Sequence, residues 1–201
     1  MTEVPDSSKR SPRSGLADLA ETIVITLFIV TLIFTYLFRI ATINGGSMEN
    51  TLMPNDKVIV NLINKKPDNG DIVLIDAGAS YTLSEDGTVV KGDGVDDIIV
   101  KRVIARGGQT IDIDFVSGKV YVDGEMLREN YVRLGLTHTD EGAFTGQYPL
   151  TVPDGYLFVM GDHRSVSKDS RSDEIGFIPE KCVIGKVVLR FYPFSSLGTV
   201  S

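Results

Sequence analysis

Thr22–Phe38 reads TIVITLFIVTLIFTYLF, seventeen residues without a formal charge. As a helix this run spans roughly 26 Å, the short end of what a hydrocarbon core of about 30 Å requires. Its polar groups are threonine hydroxyls and one phenol, and a helical threonine can return its hydroxyl to the carbonyl one turn back. Arg39 follows and can snorkel, while Ile40, Ala41 and Ile43 prolong the apolar character. A cleavable secretory leader has a shorter apolar region that ends in small residues. This run stays bulky to its end, so it reads as a retained single-span anchor helix over residues 16–43. Lys9, Arg10 and Arg13 precede the span and Arg39 alone immediately follows it. That bias keeps the N-terminus cytoplasmic and carries residues 44–201 across the plasma membrane. Residues 1–15, rich in Ser, Pro and charge, read as a disordered cytoplasmic tail.

Residues 1–43 hold four positive and four negative groups, so the whole net charge of −7 falls beyond the anchor. An acidic extracytoplasmic part argues against nucleic acid as a partner. Cys182 is the one cysteine, and His138 and His163 are the only histidines. This composition excludes an internal disulfide, a thiol pair and a multi-histidine metal centre.

Beyond residue 44 the hydrophobic period becomes strand-like. β-Branched runs recur at Lys57–Leu62, Asp71–Ile75, Ile98–Ala105, Thr110–Phe115, Lys119–Val122, Tyr156–Met160 and Val183–Tyr192. Turn signals such as Asn69-Gly70, Ser117-Gly118, Asp123-Gly124 and Pro153-Asp154-Gly155 separate them. The pattern predicts a mainly β domain, a folded-over antiparallel barrel or sandwich, over residues 44–201. Residues 76–97 are polar, acidic and glycine-rich, and read as a flexible insertion.

Three segments carry chemical potential. Gly45 and Gly46 strip side chains from the backbone before Ser47, which lets another chain approach and peptide N–H groups be aimed at it. The same stretch also reads as a plain linker. In Ile98–Ala105, Lys101 and Arg102 place one basic residue on each face of an otherwise apolar strand. That is the mark of a charged edge strand, or of a lysine held where its neutral form is favoured. A free lysine is only about 0.04% neutral at pH 7. Burial among apolar neighbours raises that share and makes the amine a competent base for a serine hydroxyl without any histidine. Finally, Gly161–Arg171 packs two Asp, two Arg, one Lys, three Ser and one His behind the apolar run Tyr156–Met160. It reads either as a solvated loop or as a polar network wedged against the core.

In order and spacing, these segments behind an anchor resemble the bacterial type I signal peptidases, membrane-anchored enzymes that remove signal peptides from exported preproteins. Ser47-Met48-Glu49-Asn50-Thr51-Leu52 is similar to the family's nucleophile box, Ser-Met-x-Pro-Thr-Leu. Lys101-Arg102-Val103-Ile104-Ala105 resembles its general-base box, and Gly161-Asp162 through Ser167-x-Asp169-Ser170-Arg171 its Gly-Asp-Asn-x-x-x-Ser-x-Asp-Ser-Arg box. The resemblance implies Ser47 as nucleophile, Lys101 as base and Ser167 as the group orienting the lysine amine. It places Met48 near the membrane-facing edge of the site and makes Arg102–Asp162 and Asp169–Arg171 supporting ion pairs. It implies a covalent acyl-enzyme, an oxyanion bound by the Ser47 N–H, and no metal or cofactor. Substrates would lie as extended strands with small residues at positions −1 and −3 from the cut. Asn50 stands where the family has proline, which would loosen that turn, and His163 where it has asparagine. Gly45 occupies a position where some relatives carry a hydroxyl. The alternative from another class is a non-catalytic anchored β domain that binds extended peptides.

Overall fold

A computed structural model describes residues 12–84, 86–95, 97–133, 137 and 142–200. His138, and Glu85 and Asp96 of the acidic stretch, lie outside the described residues, as do residues 1–11 of the expected tail. The chain divides into an N-terminal unit up to Phe38 and a second unit, Arg39–Ser201.

The first unit is a helix, α1 (Pro12–Tyr36). Proline suits the first turn because its missing N–H has no helical partner to lose, so Pro12–Gly15, placed in the tail by sequence, are helical instead. Gly15–Tyr36 has a mean hydropathy of 2.2 and is long and apolar enough to cross a membrane. All four threonines of the apolar run bond back one turn: Thr22 to the Asp18 carbonyl, Thr26 to Thr22, Thr31 to Leu27 and Thr35 to Thr31, at 2.7–2.8 Å. Each hydroxyl is thereby satisfied within the helix.

The helix expected to reach residue 43 stops at Tyr36. Residues after it form β1 (Phe38–Thr42), followed by β2 (Lys57–Asn61), β3 (Ile72–Asp76), β4 (Ala79–Leu83), β5 (Val89–Asp93) and β6 (Ile98–Arg106). Then come β7 (Thr110–Asp114), β8 (Lys119–Val122), β9 (Glu125–Met126), β10 (Leu150–Thr151) and β11 (Tyr156–Met160). The short β12 (Ile178–Pro179), the long β13 (Val183–Tyr192) and β14 (Gly198–Thr199) complete the chain. A large sheet runs in the order β1-β2-β13-β3-β6-β11-β12, with β14 added to β13. A second sheet, β10-β7-β8-β9, closes beside it.

Both sheets contribute to a common core. Ile104 and Ala105 of β6 and Phe158 and Met160 of β11 pack with Ile111, Ile113, Val120 and Val122 of the smaller sheet, around Phe144 and Phe177. This is the antiparallel, mainly β sandwich that the alternating runs predict. Residues 76–97 carry the hairpin β4–β5, whose Tyr81 bridges to Gly176. Regular pairing thus organises much of the expected insertion, because each residue of Ala79–Leu83 finds a cross-strand partner in Val89–Asp93 despite the acidic, glycine-rich setting.

Candidate active site

Ser47 sits on a tight turn between β1 and β2. Thr51 and Leu52 both donate to the Met48 carbonyl, at 3.1 and 2.8 Å, winding the chain through one helix-like turn. Met48 and Leu52 sink completely into the core with Ile43, Val58, Val60 and Ile72. Met48 therefore anchors the turn from within, and its side chain also forms part of the cleft wall described below. The turn is pinned from outside as well. Arg190 of β13 donates to the Thr51 carbonyl at 2.9 Å and to Asp56 at 3.2 Å.

Asn50 adopts φ +98° and donates its side-chain N–H to the Tyr131 carbonyl at 2.9 Å. Proline, fixed near φ −65°, cannot take that conformation. Asparagine here replaces one turn device by another: it tolerates the left-handed backbone and ties the turn to a distant loop. The loosening anticipated from the lost proline is offset by this bond.

β6 brings Lys101 and Arg102 to opposite faces, and both faces are covered. Lys101 is 4% exposed and Arg102 1%. The Lys101 Nζ donates to Ser47 Oγ at 2.8 Å, joining residues 54 apart in sequence. Arg102 points the other way. Its Nε and Nη2 bond both oxygens of fully buried Asp162 at 2.9 and 2.8 Å, its Nη1 reaches the Gly70 carbonyl at 2.7 Å, and its plane stacks on Tyr131 at 3.9 Å. Such a fork-to-carboxylate pair satisfies the guanidinium with charge-assisted bonds.

The loop Gly161–Arg171 is the polar network, not the solvated loop. Arg171 donates Nε and Nη2 to the two oxygens of Asp169 at 2.8 and 2.9 Å, and both residues are fully buried. Burial alone would push the Asp169 carboxyl up, but the Arg171 charge and hydrogen bonds, with the Gly161 N–H, hold it below its ordinary value. Asp169 also accepts from the Gly161 N–H at 3.0 Å, and Ser170 Oγ accepts from the Val159 N–H at 2.9 Å. Ser167 is fully buried, and its side chain borders Gly161.

Gly161 is the hinge between this loop and the nucleophile. A Cβ there would lie 2.2 Å from Ser167 Oγ and 2.4 Å from the Ser47 carbonyl oxygen. That same Ser47 carbonyl accepts from the His163 N–H at 2.9 Å. Only glycine permits so close an approach, which joins the Gly161–Arg171 loop to the Ser47 turn, while Lys101 ties in the third segment singled out in the sequence.

Several contributors escaped sequence reasoning. Buried Arg164 pairs with Glu129 and holds the Gly161 carbonyl at 2.9 Å. Tyr131 donates to Glu129 at 3.2 Å, and burial first, then the Glu129 charge, pushes its phenol well above the ordinary value. Glu129 and Arg164 are thirty-five residues apart, so no local spacing flags the pair. A compositional signal existed only in part, since a second arginine in an eleven-residue loop needs its own anion if buried.

A cleft of about 380 Å³ opens at the Ser47–Lys101 pair. Ile40–Gly45 form one wall, and Asp97–Lys101 with Leu74 and Met48 form the other. Residues Ile98–Arg102 of β6 pair with β3 along one edge, while pairing with β11 begins only at Arg102.

A buried amine bonded to a serine hydroxyl in an open cleft has the makings of a serine hydrolase. The family profile described as "Signal peptidase, peptidase S26" matches residues 16–192. The chain belongs to this family and is a serine endopeptidase that cleaves signal peptides. It is 30% identical to a probable signal peptidase I-2 of Synechocystis sp. over 100% of this chain and 87% of that protein. Signal peptidase I of Bacillus amyloliquefaciens is 28% identical, covering 96% of both chains. A solved signal peptidase I from Enterococcus faecalis V583 is 26% identical over 60% of this chain and 96% of that one, with a TM-score of 0.41.

Proposed function

We propose that Ser47 and Lys101 form a catalytic dyad that cleaves preproteins through an acyl-enzyme. The observation that carries this reading is the 2.8 Å contact between a buried lysine amine and a half-buried serine hydroxyl at the foot of a cleft. In the productive state the amine is neutral and accepts the Ser47 proton as Oγ attacks the scissile carbonyl. The tetrahedral oxyanion receives the Ser47 N–H, which has no hydrogen-bond partner among the described residues. Collapse breaks the C–N bond, and the Lys101 ammonium returns the proton to the leaving amine. Water then attacks the ester with Lys101 again as base, releasing the acid and restoring the hydroxyl.

The substrate lies as an added strand along the edge of Ile98–Lys101 that β11 leaves unpaired. Main-chain bonds tolerate varied sequences there, while the apolar walls from Ala41, Ile43, Met48 and Leu74 favour small residues at −1 and −3. Ser167, Asp162, Arg102, Asp169 and Arg171 act as supporting residues, with Ser167 orienting the amine. Residues 16–36 anchor the enzyme with the N-terminus cytoplasmic and the β unit outside, as the basic residues before the span favour. Ser47 follows Tyr36 by eleven residues, so a fully extended chain tethers it within about 40 Å of the span's end. Tethering raises the effective concentration of a signal peptide still held in lipid.

The test is preprotein cleavage by detergent-solubilised enzyme. Ser47→Ala and Lys101→Ala should each abolish the cleaved product. Retention of cleavage by both variants would refute the dyad.

A further inference from the structure

Glu49 occupies the unassigned position of the nucleophile turn, two residues after Ser47. Its N–H donates to the Gly46 carbonyl at 3.1 Å, and its side chain folds back over the same residue. A Cβ built on Gly46 would lie 2.8 Å from Glu49 Oε1, so the carboxylate rests directly on the backbone that leads into Ser47. The other carboxylate oxygen is held by one loop and approached by a second. Arg133 Nη1 donates to Glu49 Oε2, and His163 Nδ1 lies 3.4 Å from that same oxygen. Both loops are themselves fixed near the site: the Arg133 N–H donates to the Asp162 carbonyl at 2.9 Å, and the His163 N–H to the Ser47 carbonyl at 2.9 Å.

The arrangement combines a mechanical and an electrostatic element. A carboxylate held through one oxygen by Arg133, with the other against Gly46, restrains a Gly-Gly-Ser backbone that otherwise has wide conformational freedom. A bare carboxylate against the residue preceding Ser47 would oppose negative charge developing at the Ser47 N–H, and the Arg133 guanidinium offsets it.

We propose that Glu49 and Arg133 are positioning residues that clamp the Gly46–Ser47 backbone in its oxyanion-receiving orientation, Arg133 neutralising the carboxylate that does the holding. This rests on Ser47 being the nucleophile.

The test measures kcat and KM of the full chain in detergent on a preprotein. Glu49→Ala should lower kcat roughly tenfold with KM within about twofold of wild type. Glu49→Gln, whose amide oxygen still accepts from Arg133, should stay within about threefold. Arg133→Ala leaves the carboxylate uncompensated and should lose at least as much as Glu49→Ala, and adding Glu49→Gln to it should recover part of the loss. A Glu49→Ala enzyme with wild-type kcat, a loss carried by KM alone, or a double variant no better than Arg133→Ala overturns the clamp. Should Arg133→Ala not fold, the Glu49→Ala and Glu49→Gln pair decides by itself. Ser47→Ala is measured alongside: residual cleavage there refutes the nucleophile, whereas an inert Ser47→Ala beside a fully active Glu49→Ala refutes the clamp alone.

Discussion

Replacing Asp162 by alanine tests whether the arginine network supports the site as described. Asp162 is fully buried and Arg102 1% exposed, and two charge-assisted bonds of 2.9 and 2.8 Å join them. The substitution leaves a buried guanidinium without its anion and deprives the Thr51 hydroxyl of its acceptor. Breaking a buried pair in this way costs about 3–5 kcal/mol. At this chain size each kcal/mol lowers Tm by roughly 2–4 °C, so a drop of about 6–20 °C is expected. The control is the pair Lys168–Glu174, whose side chains are 63% and 51% exposed. Solvent screens it, and Glu174→Ala should cost less than about 1 kcal/mol. Thermal melts of the full chain in detergent, followed by tyrosine circular dichroism because the chain lacks tryptophan, separate the two. A Tm for Asp162→Ala no lower than that of Glu174→Ala would refute the reasoning.

Gly161→Ala should reduce kcat by about a hundredfold or more, since its Cβ meets the Ser47 carbonyl at 2.4 Å; unchanged single-turnover cleavage would contradict this. Asn50→Pro, which restores the family's residue, should lower Tm rather than raise it, because Asn50 holds φ +98°. Acid melts provide a further check on Asp169. Its folded value is depressed below the ordinary 3.8, so its stabilising share is present above that pH and is lost as pH falls through the lowered value. Stability of the wild type should therefore decline more steeply below about pH 4 than that of Asp169→Asn, and parallel curves would count against the ion pair.

Much of this organisation is legible in the sequence, for identifiable reasons. The seven β-branched runs each contain a strand, because alternation and bounding turns already satisfy both local propensity and the sandwich core. Lys101 and Arg102 stood out because charge on both faces of an apolar strand demands partners on both sides. The misplaced features are those that long-range pairing decides. Phe38–Thr42 continues the apolar anchor in composition, yet it is a strand because β2 lies beside it. Ala79–Leu83 sits among Gly and Asp, but its pairing with Val89–Asp93 gives it a regular conformation. Arg164 finds Glu129 across a fold contact that no spacing encodes.

The dependence of kcat/KM on pH, measured from pH 6 to 10 with the intact enzyme and a preprotein, tests the central claim most directly. If the neutral Lys101 amine takes the Ser47 proton, the rate rises with pH in proportion to the deprotonated amine and then levels. A rate that stays flat across that range would contradict lysine as the base.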